Sequence, residues 1–185
     1  MSGNLFVLIT GATSGFGYEF ARLFANHGYN LVLVARSEEQ LKKVGEAIAN
    51  HYRVRVDTLP IDLFRPEGPE QIYQYTLEND IQVDILINNA SQGQHGMFVD
   101  YELERDVDLI QLNITSVVAL TKLFLRDMVA RNDGKILQVS SVLAKFPAHG
   151  GICGGKSFYQ FVYRSAHQRA RGLQRNDDRI VAGCC

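Results

Sequence analysis

Leu5-Phe-Val-Leu-Ile-Thr10-Gly-Ala-Thr-Ser-Gly-Phe-Gly17 is the stretch that decides the fold. From Leu5 to Thr10 it is a continuous run of strand length, apolar up to its last residue, as a strand buried on both faces requires. A glycine-rich turn follows, and behind it a helical pattern begins. Gly11 allows the tight turn, Gly15 lets backbone approach a pyrophosphate, and Gly17 lets the helix pack close to the sheet. Thr13, Ser14 and Phe16 complete the loop. Free N–H groups and the positive dipole end of the helix then face the phosphates. The stretch is thus expected to bind a dinucleotide.

Downstream, strand and helix alternate. Tyr18 to Asn26 places Phe20, Leu23 and Phe24 on one helical face, and Asn30 to Ala35 reads as a second buried strand. Ser37 with Gln40 forms a capping box for the next helix. Arg53 to Ile61 reads as a third, more exposed strand, Pro66 to Glu78 as a helix, and Val83 to Ile87 as a fourth strand. Residues 102 to 131 carry a long helical pattern, and Gly134 opens a fifth strand, Lys135 to Ser140. Such alternation implies an α/β fold with a doubly wound parallel sheet.

Composition sets outer limits. The 185 residues are 46% hydrophobic and 21% charged, with a net charge of −1. That describes an ordinary globular sequence and gives no case for a nucleic-acid partner. The apolar run at Leu5 to Thr10 is too short to span a bilayer, and Met1-Ser2-Gly3-Asn4 lacks the basic start of a signal peptide. A cytoplasmic location without membrane attachment is the resulting expectation. The three cysteines, Cys153, Cys184 and Cys185, have no metal-site spacing, so no metal is expected.

Thr-Gly-x-x-x-Gly-x-Gly resembles the phosphate loop of the short-chain dehydrogenase/reductase family, with Phe16 where the family usually has Ile or Leu. Further marks follow in order. Asn88-Asn89-Ala90 is similar to the family's Asn-Asn-Ala-Gly, with Ser91 replacing the glycine. Asp62-Leu63 matches the acidic position that contacts adenine in relatives. Asn113 matches the helix asparagine that holds a water in the proton relay, and Ser141 matches the catalytic serine. The resemblance covers residues 3 to 148. It implies a Rossmann fold, with Gly11, Thr13, Ser14, Gly15, Phe16, Gly17, Arg36, Asp62, Leu63, Asn89, Ala90 and Ser91 at the cofactor and Ser141 and Asn113 in catalysis. Individually, Asp62 also reads as a turn residue, Asn113 as a helix-kink residue and Ser141 as part of a strand cap.

Arg36 directly follows the second strand. NAD-specific folds place an acidic residue near this point to bind the ribose 2′-hydroxyl. Ala35-Arg36-Ser37 offers instead a guanidinium suited to a 2′-phosphate. NADP(H) is therefore the preferred cofactor, with NAD(H) as the alternative.

After residue 148 the resemblance stops. Relatives carry Tyr-x-x-x-Lys on a helix here; the tyrosine handles the proton and the lysine lowers its pKa. This chain has Lys156, but Ile152 stands four residues before it, and neither Tyr159 nor Tyr163 has a lysine four residues on. Back-translated with free codon choice and read one nucleotide later, His149 to Lys156 yields Met-Val-Val-Tyr-Ala-Ala-Ala-Lys. His167 to Gly183 likewise yields a string ending Thr-Ala-Leu-Leu-Pro-Gly, similar to the family's sixth strand and its Pro-Gly turn. The expectation is a dinucleotide-binding domain over 1–148 and, over 149–185, a frame-shifted tail in place of the catalytic helix. A naturally divergent or truncated protein is the alternative.

The sheet is then expected to stop at the fifth strand, without the family's last strands and with an uncovered edge. Two functions remain open. One is an oxidoreductase moving hydride between NADP(H) and a small carbonyl or alcohol substrate. The other is a catalytically dead nucleotide binder or inactive fragment, because the tyrosine is absent. Gln92, Gln94, His95, Phe98 and Phe146 are expected along the near side of the substrate pocket. Leu109, Leu112, Val117, Leu120, Leu123, Phe124 and Met128 give the long helix more apolar surface than one sheet contact needs. The resemblance implies a homodimer or homotetramer built on that helix.

Overall fold

The computed structural model describes residues 5–94, 98–139 and the backbone of 180–184. β1 (Phe6–Thr10) leads into α1 (Gly15–Asn26), β2 (Asn30–Ala35) into α2 (Glu38–Tyr52), and β3 (Val56–Pro60) into α3 (Gly68–Glu78). β4 (Val83–Asn88) is followed by α4 (Leu103–Ile110), a π-helical turn (Gln111–Thr115), α5 (Ser116–Arg131) and β5 (Gly134–Gln138). These strands are parallel, in the order β3-β2-β1-β4-β5, so the fold is the expected doubly wound sheet.

A sixth strand, β6 (Ile180–Cys184), lies parallel on the outer edge of β5. This corrects the expectation of an uncovered edge there: Ile180-Val-Ala is a short apolar run that pairs with β5 despite the unusual composition around it.

Side chains alternate across the pleat and build two cores. Leu8, Val32, Val34 and Leu86 pack with Ile72, Leu120, Phe124 and Met128 from α3 and α5. Val7, Ile9, Leu31, Leu33 and Ile87 pack on the opposite face with Ala21, Ala25, Leu41 and Ile48 from α1 and α2. Each fully buried Leu or Ile contributes about 1.5–3 kcal/mol, so strands buried on both faces dominate the stabilisation.

The buried stripe of α1 is not the face that carries Phe20, Leu23 and Phe24. It is Gly17, Ala21 and Ala25, at i, i+4 and i+8, whereas Leu23 is 51% exposed and Phe20 and Phe24 are half-buried. Small residues win this face because the helix lies close against the sheet. At α2, Ser37 Oγ accepts the Gln40 N–H at 3.4 Å, so half of the expected capping box is present.

The long helical segment Leu103–Arg131 is apolar and long enough to cross a membrane by length and composition alone. Its fully buried Leu109, Leu120 and Met128 are core side chains, and α5 lies against β4 and β5. The π turn interrupts it at Asn113; such turns occur frequently at functional sites.

Candidate functional site

Because β1 lies between β2 and β4, the crossovers leave it in opposite directions. A crevice therefore opens at the carboxyl ends of β1 and β4. The phosphate loop forms its floor. Gly11 has φ +68°, and a Cβ there would lie 2.9 Å from Ala90 Cα, so only glycine fits between the two loops. A Cβ on Gly17 would lie 2.2 Å from the Gly11 carbonyl oxygen. Gly15 is different: φ is +55°, but a Cβ would meet nothing within 4 Å. Its backbone faces open space.

Ser14 caps α1 by position but makes no side-chain cap hydrogen bond, and the first turn of α1 carries no acidic residue. The N-terminal amides of α1 are thus not used by the Ser14 hydroxyl. Open backbone at Gly15, an uncapped helix end and no nearby carboxylate on the helix are what a pyrophosphate requires. The loop fits the expected dinucleotide.

The Thr10 hydroxyl ties this floor to the exit of β4. It accepts the N–H groups of Asn89 and Ala90, both at 3.0 Å, and donates to the Ile87 carbonyl at 3.4 Å. Asn89 reciprocates: its Nδ2 donates to the carbonyls of Thr10 (2.9 Å) and Gly11 (3.2 Å). The asparagine amide therefore braces the phosphate loop.

Asn113 braces the other side. Its Nδ2 donates to the Gln92 carbonyl at 2.8 Å, and its Oδ1 accepts the Gln92 N–H at 3.1 Å. The side chain is buried, and both polar ends are engaged with the loop after β4.

The crevice holds a cavity of about 420 Å³. Gly11, Thr13, Ser14 and Phe16 line it from the phosphate loop, and Asn89, Ala90 and Ser91 from the β4 exit. Arg36 lines it from the end of β2, and Asp62 and Leu63 from the end of β3. Ten of the residues expected at the cofactor thus share one cavity; Gly15 and Gly17 shape its floor without lining it. Asp62 Oδ1 accepts the Phe64 N–H at 3.0 Å, which fixes the turn after β3. Gln92 also lines this cavity.

Ser141, His95, Phe146, Ile152, Lys156, Tyr159 and Tyr163 lie outside the described residues. Among the described residues no group of His, Cys, Asp or Glu could hold a metal ion.

The sequence shared with known proteins coincides with this site. Residues 5–157 match the family model for short chain dehydrogenase. The chain belongs to the short chain dehydrogenase family. It is 30% identical over 169 residues to dehydrogenase/reductase SDR family member 7 of Mus musculus, covering 89% of this chain and 50% of that protein. It is 37% identical over 145 residues to oxidoreductase UcpA of Escherichia coli K12, covering 78% and 54%. The chain spans about half the length of these curated relatives. A short-chain dehydrogenase from Sphingobium yanoikuyae, solved with NADPH, is 31% identical with a TM-score of 0.85, covering 98% of this chain and 71% of that one. Proteins of this short chain dehydrogenase family act on small-molecule substrates.

Three features of the short chain dehydrogenase site had weak sequence signals. Thr10 stands at the strand end before the first glycine, where only the fold reveals that it faces β4. Thr121 accepts from Asn88 Nδ2 (3.1 Å) and Gln138 Nε2 (2.8 Å), joining the ends of β4 and β5 to α5. Phe64, next to Asp62-Leu63, also lines the cavity; its place directly after an expected adenine contact was the available clue.

Proposed function

We propose that this chain binds NADP(H) in preference to NAD(H), and that the whole protein transfers hydride between the nicotinamide and a carbonyl or alcohol carbon of a small molecule. Arg36 carries the cofactor choice: it lines the cavity at the end of β2, where an NAD-specific site would place a carboxylate. The NADPH bound to the Sphingobium yanoikuyae relative supports the reading.

Within this reading, Gly11, Gly15, Gly17 and the N-terminus of α1 take the pyrophosphate. Arg36 takes the 2′-phosphate, and Asp62 and Leu63 the adenine. Asn89, Ala90 and Ser91 border the nicotinamide half. The cofactor supplies the hydride, and the protein's share is orientation and proton supply. Ser141 hydrogen-bonds the substrate oxygen. Asn113 holds a water in the proton relay and also fixes Gln92 at the mouth of the cavity. The second reading, nucleotide binding without turnover, draws support from Ile152 standing where Tyr-x-x-x-Lys needs a tyrosine. The boundary between a nucleotide-binding body over 1–148 and an altered tail over 149–185 belongs to the proposal, as does a cytoplasmic setting.

Fluorescence titration with NADPH and NADH tests the cofactor choice. Arg36→Ala should remove most of the preference, because one charge-assisted phosphate contact contributes about 1.5–3 kcal/mol. Equal affinities in the unmutated chain would reject it. Assembly as a dimer or tetramer is supported by Leu103, Val107 and Ile110, which are 72%, 54% and 43% exposed along one stripe of α4. Light scattering that returns a clean monomer for the whole protein would count against it.

A further inference from the structure

Phe64 carries two guanidinium groups from distant parts of the chain. Arg36, leaving β2, has its Cζ 4.9 Å from the ring centroid, and Arg105, on α4, has its Cζ 5.7 Å from the same centroid. Phe64 is half-buried and lines the nucleotide cavity, and its backbone is pinned by Asp62 Oδ1. Arg36 is exposed and Arg105 half-buried.

Neither arginine forms an ion pair among the described residues, although acids are close in sequence to both. Glu39, near Arg36, is paired with Lys43. Glu104, Asp106 and Asp108 flank Arg105 on α4 without pairing with it. Among the described residues Asp62 is the one carboxylate lining the cavity, and its Oδ1 is engaged by the Phe64 amide.

Two like charges drawn to one ring repel each other. The ring's negative face offsets part of that cost, but an ion pair would offset more. A fold that gathers two guanidinium groups beside a cavity, neither ion-paired among the described residues, is complementary to a bound anion. Holding Arg36 against a ring also reduces the side-chain freedom it loses on binding, which is how preorganisation raises affinity.

We infer that Phe64 and Arg105 are specificity-determining positioning residues: the Phe64 ring, shared with Arg105, presents the Arg36 guanidinium to the 2′-phosphate of the cofactor. This rests on the NADP(H) reading above. Arg105 does not line the cavity; it acts through the ring and by adding positive potential. The ligand chemistry is a ribose 2′-phosphomonoester, and the planar Arg36 suits both the ring face and the phosphate.

Calorimetric titration of the full chain with adenosine 2′,5′-bisphosphate and with 5′-AMP separates the possibilities. The bisphosphate should bind the unmutated chain more tightly. Phe64→Leu should weaken the bisphosphate about five- to tenfold and leave 5′-AMP within about twofold, the scale of one released side chain. Phe64→Tyr keeps the ring and should restore the unmutated affinity. Arg105→Gln should weaken the bisphosphate about threefold or more at low salt, with the difference shrinking as salt is raised. No discrimination by the unmutated chain would reject the NADP(H) reading and this inference together. Discrimination that Arg36→Ala abolishes, but that Phe64→Leu and Arg105→Gln leave intact, would overturn this inference alone. Equal weakening of both ligands by Phe64→Leu would assign the ring to adenine and also overturn it. If Phe64→Leu fails to fold, Phe64→Tyr and Arg105→Gln still decide, since the first must retain the preference and the second must lower it.

Discussion

Gly17→Ala is the substitution whose consequence the structure fixes most tightly. The new methyl would stand 2.2 Å from the Gly11 oxygen, 2.6 Å from Asn89 Nδ2 and 2.9 Å from the Gly11 carbonyl carbon. Ordinary contact begins near 3.4 Å, so α1 or the loop must recoil by about 1 Å. Overpacking of this kind costs about 1–3 kcal/mol. The recoil also strains both hydrogen bonds from Asn89 Nδ2, a further loss of about 1 kcal/mol. The variant should therefore lose about 2–4 kcal/mol in urea unfolding followed by circular dichroism, a large share of a domain's stability. NADPH affinity should fall about tenfold or more, since the loop amides move away from the phosphates. Gly15→Ala is the control. Its methyl meets nothing, and only the left-handed backbone at φ +55° opposes it, at about 1–2 kcal/mol. It should be the more stable variant and still bind NADPH poorly, because the methyl covers the backbone the pyrophosphate approaches. Unchanged stability in Gly17→Ala, or greater loss in Gly15→Ala, would refute this packing account.

Thr10→Val keeps the shape but leaves the Asn89 and Ala90 amides without their acceptor. It should cost about 2–4 kcal/mol in the same unfolding assay, whereas Thr10→Ser should cost about 1 kcal/mol. Equal losses would show that the hydroxyl network is not what joins β1 to β4. Turnover separates the two functional readings. Followed by NADPH absorbance over a panel of aldehydes and ketones, residues 1–185 should show negligible reduction, and a version with the frame restored after about residue 148 and continued through the family's later strands should show ordinary NADPH-dependent reduction. Appreciable turnover by the 185-residue chain would overturn the frame-shift account and point to Tyr159 as the proton donor.

The sheet was legible because its strands are buried on both faces. Leu5 to Thr10 and Asn30 to Ala35 have no polar alternation to confuse with a helix, and the glycines between strand and helix fix the direction of the first crossover. The cavity was legible for the same reason: a doubly wound sheet opens where its strands end, and Arg36, Asp62 and Asn89 stand at three strand ends. What escaped depends on distances rather than patterns. On α1 the apolar face of Phe20, Leu23 and Phe24 competes with the small stripe of Gly17, Ala21 and Ala25, and close helix–sheet packing selects the small one. The π turn at Gln111–Thr115 had one signal, the alternative reading of Asn113 as a helix-kink residue, since Leu-Asn-Ile-Thr otherwise suits a regular helix. β6 was hidden by the glycines, arginines and cysteines around it. The pairing of Arg36 and Arg105 on Phe64 joins segments that no local spacing connects.

A crystal structure of the chain with NADPH would show whether this crevice holds the cofactor and whether Arg36 takes the 2′-phosphate. The pyrophosphate should lie at the N-terminus of α1 over Gly15, the 2′-phosphate within hydrogen-bond reach of Arg36, and the nicotinamide half along Asn89 to Ser91. A nucleotide bound elsewhere, or one in this cavity with its 2′-phosphate turned away from Arg36, would contradict it.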